Sequence, residues 1–291
     1  MKTGKLADKF RVNGGKHFRL KEFDPAYTGH WKSKEHAQET LQERVARTAE
    51  LQDKLYAQDT WSLLLIFQAM DAAGKDSAIK HVMSGVNPQG CEVHSFKAPS
   101  ERELQHDFLW RTTRVLPERG HIGIFNRSYY EEVLVVRVHP EMLKAQKLPS
   151  SLVTDDVWEE RFEDIRCFER HMTRSGTAIR KFFLHVSKHE QKKRFLERLD
   201  EPEKNWKFSP NDVRERECWK DYQDAYEDLI RNTATKHAPW HVVPADHKWF
   251  THLVISTVIV DALESLHLDY PKVDAPKRKE LEAAGRQLRK E

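Results

Sequence analysis

Between Ala69 and Ser77 the chain reads Ala-Met-Asp-Ala-Ala-Gly-Lys-Asp-Ser, and here its residue types and spacing could do chemistry. Ala72, Ala73 and Gly74 are small enough for backbone N–H groups to curl around an anion, and Lys75 opens a helix whose positive end would add to them. In outline the run is a phosphate cradle. It departs twice from the P-loop pattern GxxxxGK followed by Ser or Thr. Ala69 replaces the first glycine, and Asp76 stands where a magnesium-binding hydroxyl belongs, with Ser77 one residue late. A strand, a turn and a helix containing a chance Gly-Lys pair is the plainer alternative.

A second cluster, Asn126-Arg127, ends the apolar run His121 to Asn126. Opposite a P-loop, a hydrophobic strand ending in a polar residue is the place of the metal-anchoring carboxylate. Here that residue is an amide, which can hold a metal-bound water but brings no charge; a turn residue closing a strand is the other reading. Asp71 then becomes the candidate metal-anchoring carboxylate, and Arg127 sets a planar donor against phosphate oxygens. A third layer of charge has Lys188, Lys192, Lys193, Arg194 and Arg198 on a helix, then Lys204 and Lys207 around Trp206. Glu190, Glu197, Asp200, Glu201 and Glu203 among them fit a solvated face. Pro202 and Pro210, bracketing the aromatic-basic hairpin, fit a lid that keeps water from a phosphoryl group. Trp110, Tyr129, Tyr130 and Trp158 could stack a base, with packing as the ordinary role of each.

Charged residues make up 33% of the 291, yet 8 Trp, 14 Phe and 7 Tyr supply a core, which excludes a disordered chain. The net charge is only +3, so attraction for polyanions must be local. Residues 1–21 carry seven Lys or Arg against one Asp, and read first as a solvated arm and second as a guide for polyanions. Three cysteines, Cys91, Cys167 and Cys218, lack CxxC spacing and suit a reducing cytoplasm. No apolar leader and no run of about 18 apolar residues appear, so neither secretion nor a membrane span is expected.

These groups need elements to hold them. The length allows one large α/β domain or two small ones; one is favoured, over 1–291, with a basic arm at 1–33, a lid segment at 188–222 and a charged tail at 271–291. A 3.6-residue stripe at Ala37, Leu41, Val45, Thr48, Leu51 and Leu55 predicts a helix over 34–56. Strands are predicted over 62–67, 91–96, 121–126, 177–186 and 241–244. Helices are predicted from Lys75 to near Gly85, from a Ser100–Glu103 capping box to before Pro117, and after Asn126 through Val138. Others are expected over 155–175, 187–199, 211–232 and 249–267, with a frayed tail beyond. Five strand-helix cycles imply a five-stranded parallel sheet with helices on both faces. Ligands of such sheets sit beyond the carboxyl ends of the strands, so the turns after the first and third strands face one cleft.

Five segments carry a family resemblance. FQAMDAAGKDSAIKHVMSGVNPQG, SFKAPSERELQHDFLWR, IGIFNRSYYEEVLVVRVHPE, KFFLHVSKHEQKKRFLERLDEPEKNWKFSPND and APWHVVPADHKWF resemble, in order and spacing, the polyphosphate kinase 2 family from about Phe10 to Leu268. With Asn126 in place of Asp, the chain is similar to the family's class III, whose members phosphorylate both AMP and ADP. The resemblance implies a P-loop kinase-like three-layer α/β fold with a helical lid, Mg2+ as cofactor, and inorganic polyphosphate as donor in a basic channel. AMP and ADP would be acceptors, with GMP and GDP as further candidates, in a cytoplasmic homo-oligomer, often a tetramer. Neither nucleic acid nor membrane is an expected partner.

By matching position, catalytic roles fall on Asp71, Lys75, Asn126 and Arg127, with Asp71 on the metal. Phosphate binding falls on Ala72, Ala73, Gly74, Lys75, Asp76, Ser77, Lys80, Arg111, Arg127, Arg194 and Lys207. Asn126, Tyr130, Glu131 and Glu132 fall on the nucleotide side. An ATP-dependent small-molecule kinase and a non-catalytic polyanion binder stay open as alternatives. Paired sites on two strand exits argue against the second.

Overall fold

Leu63, Leu65 and Phe67 join the core on one side of the central strand and Leu64 and Ile66 the core on the other, as the two-residue pleat requires. Such a strand must be covered on both faces, which makes its apolar run the natural centre of a parallel sheet. The computed structural model describes residues 4–290. Its sheet contains β1 (Arg11–Val12), β2 (Ser62–Ala69), β3 (Cys91–Ser95), β4 (Ile122–Asn126), β5 (Thr177–His185) and β6 (Trp240–Pro244). Their order is β1-β6-β5-β2-β4-β3, so the chain goes to one side of β2 for β3 and β4 and to the other for β5 and β6. The crevice beyond the end of β2 lies at this switch in direction.

The expected five-stranded parallel sheet is a six-stranded mixed one. β2 to β6 pair in parallel, while β1 runs antiparallel to β6, with Arg11 opposite His241 and Val12 opposite Trp240. A strand of two residues is too short to leave an alternating pattern in the sequence. The arm that carries it is not simply solvated. The helix Gly4–Phe10 buries Leu6, Ala7 and Phe10, the Phe10 ring meets Phe250 at 6.1 Å, and the Leu20 N–H donates to Glu227 Oε2 at 2.8 Å. Residues 1–3 of the arm and Glu291 of the tail lie outside the described residues.

Helices Lys34–Gln58 and Lys248–Glu264 pack on one face of the sheet, and Val157–Arg174 and Trp219–Thr233 on the other. Several expected helices are broken by local chemistry. Ser100 and Glu103 do make the reciprocal capping bonds, at 2.6 and 3.3 Å, but only a 3-10 turn, Glu103–Gln105, follows. His106 is extended there, and regular helix resumes only at Trp110–Thr113. After β4 the chain takes a 3-10 turn, Tyr129–Val133, and a short helix, Val135–Val138, separated by Leu134 at φ −117° and ψ −88°. The helix expected over 211–232 is two, Pro210–Glu217 and Trp219–Thr233, divided at Cys218. The tail is not frayed throughout: Asp274 caps an exposed helix, Ala275–Leu288.

Burial gives this fold a pH dependence. It holds His185 in β5 and His252 in the Lys248–Glu264 helix down at about 4, and His241 in β6 at about 3. Two HxxxH spacings, His185 with His189 and His237 with His241, straddle strand ends rather than a helical turn, and no metal cluster forms there among the described residues. In the unfolded chain these imidazoles titrate near ~6.5. Between that pH and about 4 the unfolded state therefore binds more protons, and stability falls as the pH falls through this window. Thermal melts are expected to give a lower midpoint at pH 5 than at pH 7.5, and equal midpoints would contradict the assignment.

Candidate active site

β2 ends at Ala69 and the helix Lys75–Val82 follows after a five-residue loop. Ala72 at φ 59° and Gly74 at φ 104° take left-handed backbone in that loop. Gly74 is suited to this conformation because it has no Cβ to strain. The loop is braced from behind. Arg194 Nη1 donates to the Ala72 and Ala73 carbonyls at 3.0 and 2.9 Å, and its Nη2 to Ala245 and Asp246 at 2.7 and 3.0 Å. Gln191 Nε2 donates to the Asp71 carbonyl at 2.9 Å. With these carbonyls engaged, the N–H groups opening the Lys75–Val82 helix, which have no intrahelical partner, remain for an anion.

The exit of β4 faces this loop. Asn126 Nδ2 donates to Asp76 Oδ1 at 3.0 Å. Arg127, left-handed at φ 64°, donates its N–H to the Phe67 carbonyl at 3.0 Å and so bends back over the end of β2. Its guanidinium pairs with Asp71 at 3.3 Å and Glu131 at 3.4 Å, and Gln68 Nε2 donates to Glu131 at 3.1 Å. Lys75 Nζ donates to the Ala69 carbonyl at 3.2 Å. Burial pushes the Lys75 ammonium down, Arg127 pushes it further, and Asp71, Glu131 and Asp76 pull it back up. Glu131 is raised by its own burial, and Arg127 is raised chiefly by Glu131. A phosphate entering here favours the charged form of Lys75.

These groups wall a cleft of about 660 Å³. Its lining includes eight Lys or Arg against four Asp or Glu, an imbalance that suits a ligand with several negative charges. A model of the family described as "Polyphosphate kinase 2 (PPK2)" matches residues 31–271. The chain belongs to the polyphosphate kinase 2 family. It is 53% identical to the ADP-polyphosphate phosphotransferase of Rhodopseudomonas palustris, over 97% of this chain and 98% of the relative. It is 45% identical to the AMP/ADP-polyphosphate phosphotransferase of Meiothermus ruber, over 93% and 98%. The crystal structure of Polyphosphate Kinase 2 from Arthrobacter aurescens TC1 superposes with a TM-score of 0.86 at 41% identity, covering 96% of each chain.

In this polyphosphate kinase 2 chain the cleft brings together Asp71 to Ser77, Asn126, Arg127, Arg194 and Lys207. Five other expected residues stand elsewhere. Lys80 is exposed, off the cleft wall, because it lies beyond the first helical turn. Arg111 lines the neighbouring pocket, where it donates to the Lys97 carbonyl at 2.8 Å, pairs with Glu103 at 3.4 Å and lies over the Phe96 ring. Tyr130 has no exposed surface and gives its hydroxyl to Glu169 at 2.7 Å. Glu132 is buried against Arg161 at 2.5 Å, while Glu131, one residue earlier, reaches Arg127 behind the cleft wall. Arg194 faces the cleft, but its donors are spent on loop carbonyls and Glu190. Lys97, Asp212 and Lys248 line the cleft without having been singled out by the sequence. Lys97 follows β3 and Lys248 starts the helix after β6, so testing every strand exit for basic residues would have found both.

Proposed function

We propose that this enzyme transfers the terminal phosphoryl group of inorganic polyphosphate to AMP and ADP, giving ADP and ATP, reversibly. The observation that carries the reading is the cleft, in which a braced phosphate cradle continues into Arg198, Lys204, Lys207 and Lys248. A donor that is a chain of like charges needs such an extended cationic wall. The relatives named ADP- and AMP/ADP-polyphosphate phosphotransferases support both donor and acceptors. Family membership and the three free cysteines support a cytoplasmic enzyme; a homotetramer and activity on GMP and GDP belong to the same proposal.

Phosphoryl transfer asks for positioning and charge neutralisation more than for covalent chemistry. Lys75 and Arg127 neutralise the oxygens of the transferred group, and the cradle N–H groups orient it. The acceptor oxygen belongs to a nucleotide phosphate whose second pKa is near ~6, so it is largely ionised at neutral pH and needs no general base. Magnesium fits the donor set. Asp71 and Asp76 put two carboxylates on the wall, and this ion is ordinarily held by one or two carboxylates together with substrate phosphates. When bound, it supplies further neutralisation of phosphate charge.

Purified protein given polyphosphate, magnesium and AMP is expected to form ADP and then ATP on a chromatographic time course. Absence of any nucleotide product would overturn the reading. Asn126 bears on acceptor choice. Asn126→Asp would replace the 3.0 Å amide bond to Asp76 by two facing carboxylates and add negative charge beside an anionic acceptor. The variant is expected to change the ratio of AMP to ADP rates and to demand more magnesium. Initial rates with each acceptor across a magnesium titration check this, and an unchanged ratio would remove the acceptor-charge argument.

A further inference from the structure

Trp206 lines the cleft with 78% of its surface exposed, more than any other large hydrophobic residue among those described as exposed. Leaving an indole in water forgoes a large gain in buried area. The neighbouring aromatics do pack: Phe195 is buried and meets Phe208 edge to face at 6.0 Å. The turn Pro202–Lys207 instead holds Trp206 out. Asn205 Nδ2 donates to the carbonyls of Arg198, Leu199 and Glu201 at 2.7, 2.9 and 3.2 Å. The Phe208 N–H donates to the Asn205 carbonyl at 2.9 Å, and Arg198 Nη1 to the Lys207 carbonyl at 3.3 Å. Lys207 Nζ lies 5.0 Å from the indole centroid, so the exposed ring comes with a cation.

We propose that Trp206 is the stacking platform for the base of the acceptor nucleotide. The inference rests on the polyphosphate-to-nucleotide reading and assigns one substrate to one part of the cleft. Polyphosphate has no apolar face to offer an indole, whereas a nucleotide carries a flat π-system and phosphates together. Stacking needs no hydrogen-bond match, so this platform accepts any base and favours the larger purines.

Trp206→Ala is expected to raise the KM for AMP about tenfold, leaving the KM for polyphosphate and the melting temperature unchanged. Trp206→Phe restores most of the loss, and the loss is greater for AMP and GMP than for CMP and UMP. AMP alone should quench the tryptophan emission of the wild-type protein more than that of Trp206→Phe. The proposal is overturned if both KM values rise together, if neither moves, or if the quenching is the same in both proteins. If the wild-type protein makes no product from polyphosphate, the donor reading fails, and the AMP quenching difference still decides the role of Trp206.

Discussion

Lys75→Ala is expected to lower the rate of AMP phosphorylation by on the order of 10²-fold or more, with the fold intact. The loss is large because Lys75 is the cation at the mouth of the cradle, desolvated by burial and held against the Ala69 carbonyl at 3.2 Å. Charge developing on a transferred phosphoryl group meets a fixed ammonium there without waiting for solvent to reorganise. The fold should survive because the remaining charges still have partners. Arg127 keeps Asp71 at 3.3 Å and Glu131 at 3.4 Å, so the variant buries no stranded carboxylate. Lys75→Arg should recover little, since a planar fork cannot occupy the place of a compact ammonium beside Arg127. Initial rates at saturating polyphosphate, paired with thermal melts, check both halves. Wild-type turnover in Lys75→Ala would move the chemistry away from this loop.

The cradle was legible because its signal is local: an apolar run, three small residues and a lysine stand consecutively from Ser62 to Lys75. Their neighbours were less so. Glu131 and Glu132 are adjacent in a 3-10 turn, and that geometry sends one to Arg127 and the other to Arg161. No spacing rule separates them, because the direction depends on which arginine the rest of the chain supplies. Arg194 was legible as a basic residue on a basic helix, but its partners lie more than a hundred residues away, at Ala72 and Ala73. Its guanidinium braces the loop carbonyls, a contact that only tertiary structure reveals. The antiparallel β1 escaped for a simpler reason, since Arg11 and Val12 are paired by β6 rather than by any pattern of their own.

Lys181→Met is expected to be the most destabilising of the single changes considered, costing roughly 3–5 kcal/mol. Lys181 Nζ and Glu169 Oε2 are 2.7 Å apart, and neither side chain has any exposed surface. The pair is fully satisfied: Lys181 also donates to the Thr233 carbonyl and to Tyr130 Oη, both at 2.9 Å, while Tyr129 and Tyr130 give their hydroxyls to Glu169 Oε1 at 2.9 and 2.7 Å. Removing the lysine strands a carboxylate in an apolar core, which costs far more than the attraction it loses. Lys181→Met combined with Glu169→Leu should therefore regain part of that loss, because no charge is left behind, although two tyrosine hydroxyls lose their acceptor. Urea midpoints of both single variants and the double variant measure the coupling, and an additive double would show that the charges do not act as a pair. The network also joins β5 and two helices to the turn that follows Arg127. Tyr130, which resemblance placed beside the nucleotide, acts in this fold as a strut for that turn. Tyr130→Phe is accordingly expected to lower the urea midpoint modestly while the KM for nucleotide stays where it was; a KM shift without a stability loss would return Tyr130 to the substrate.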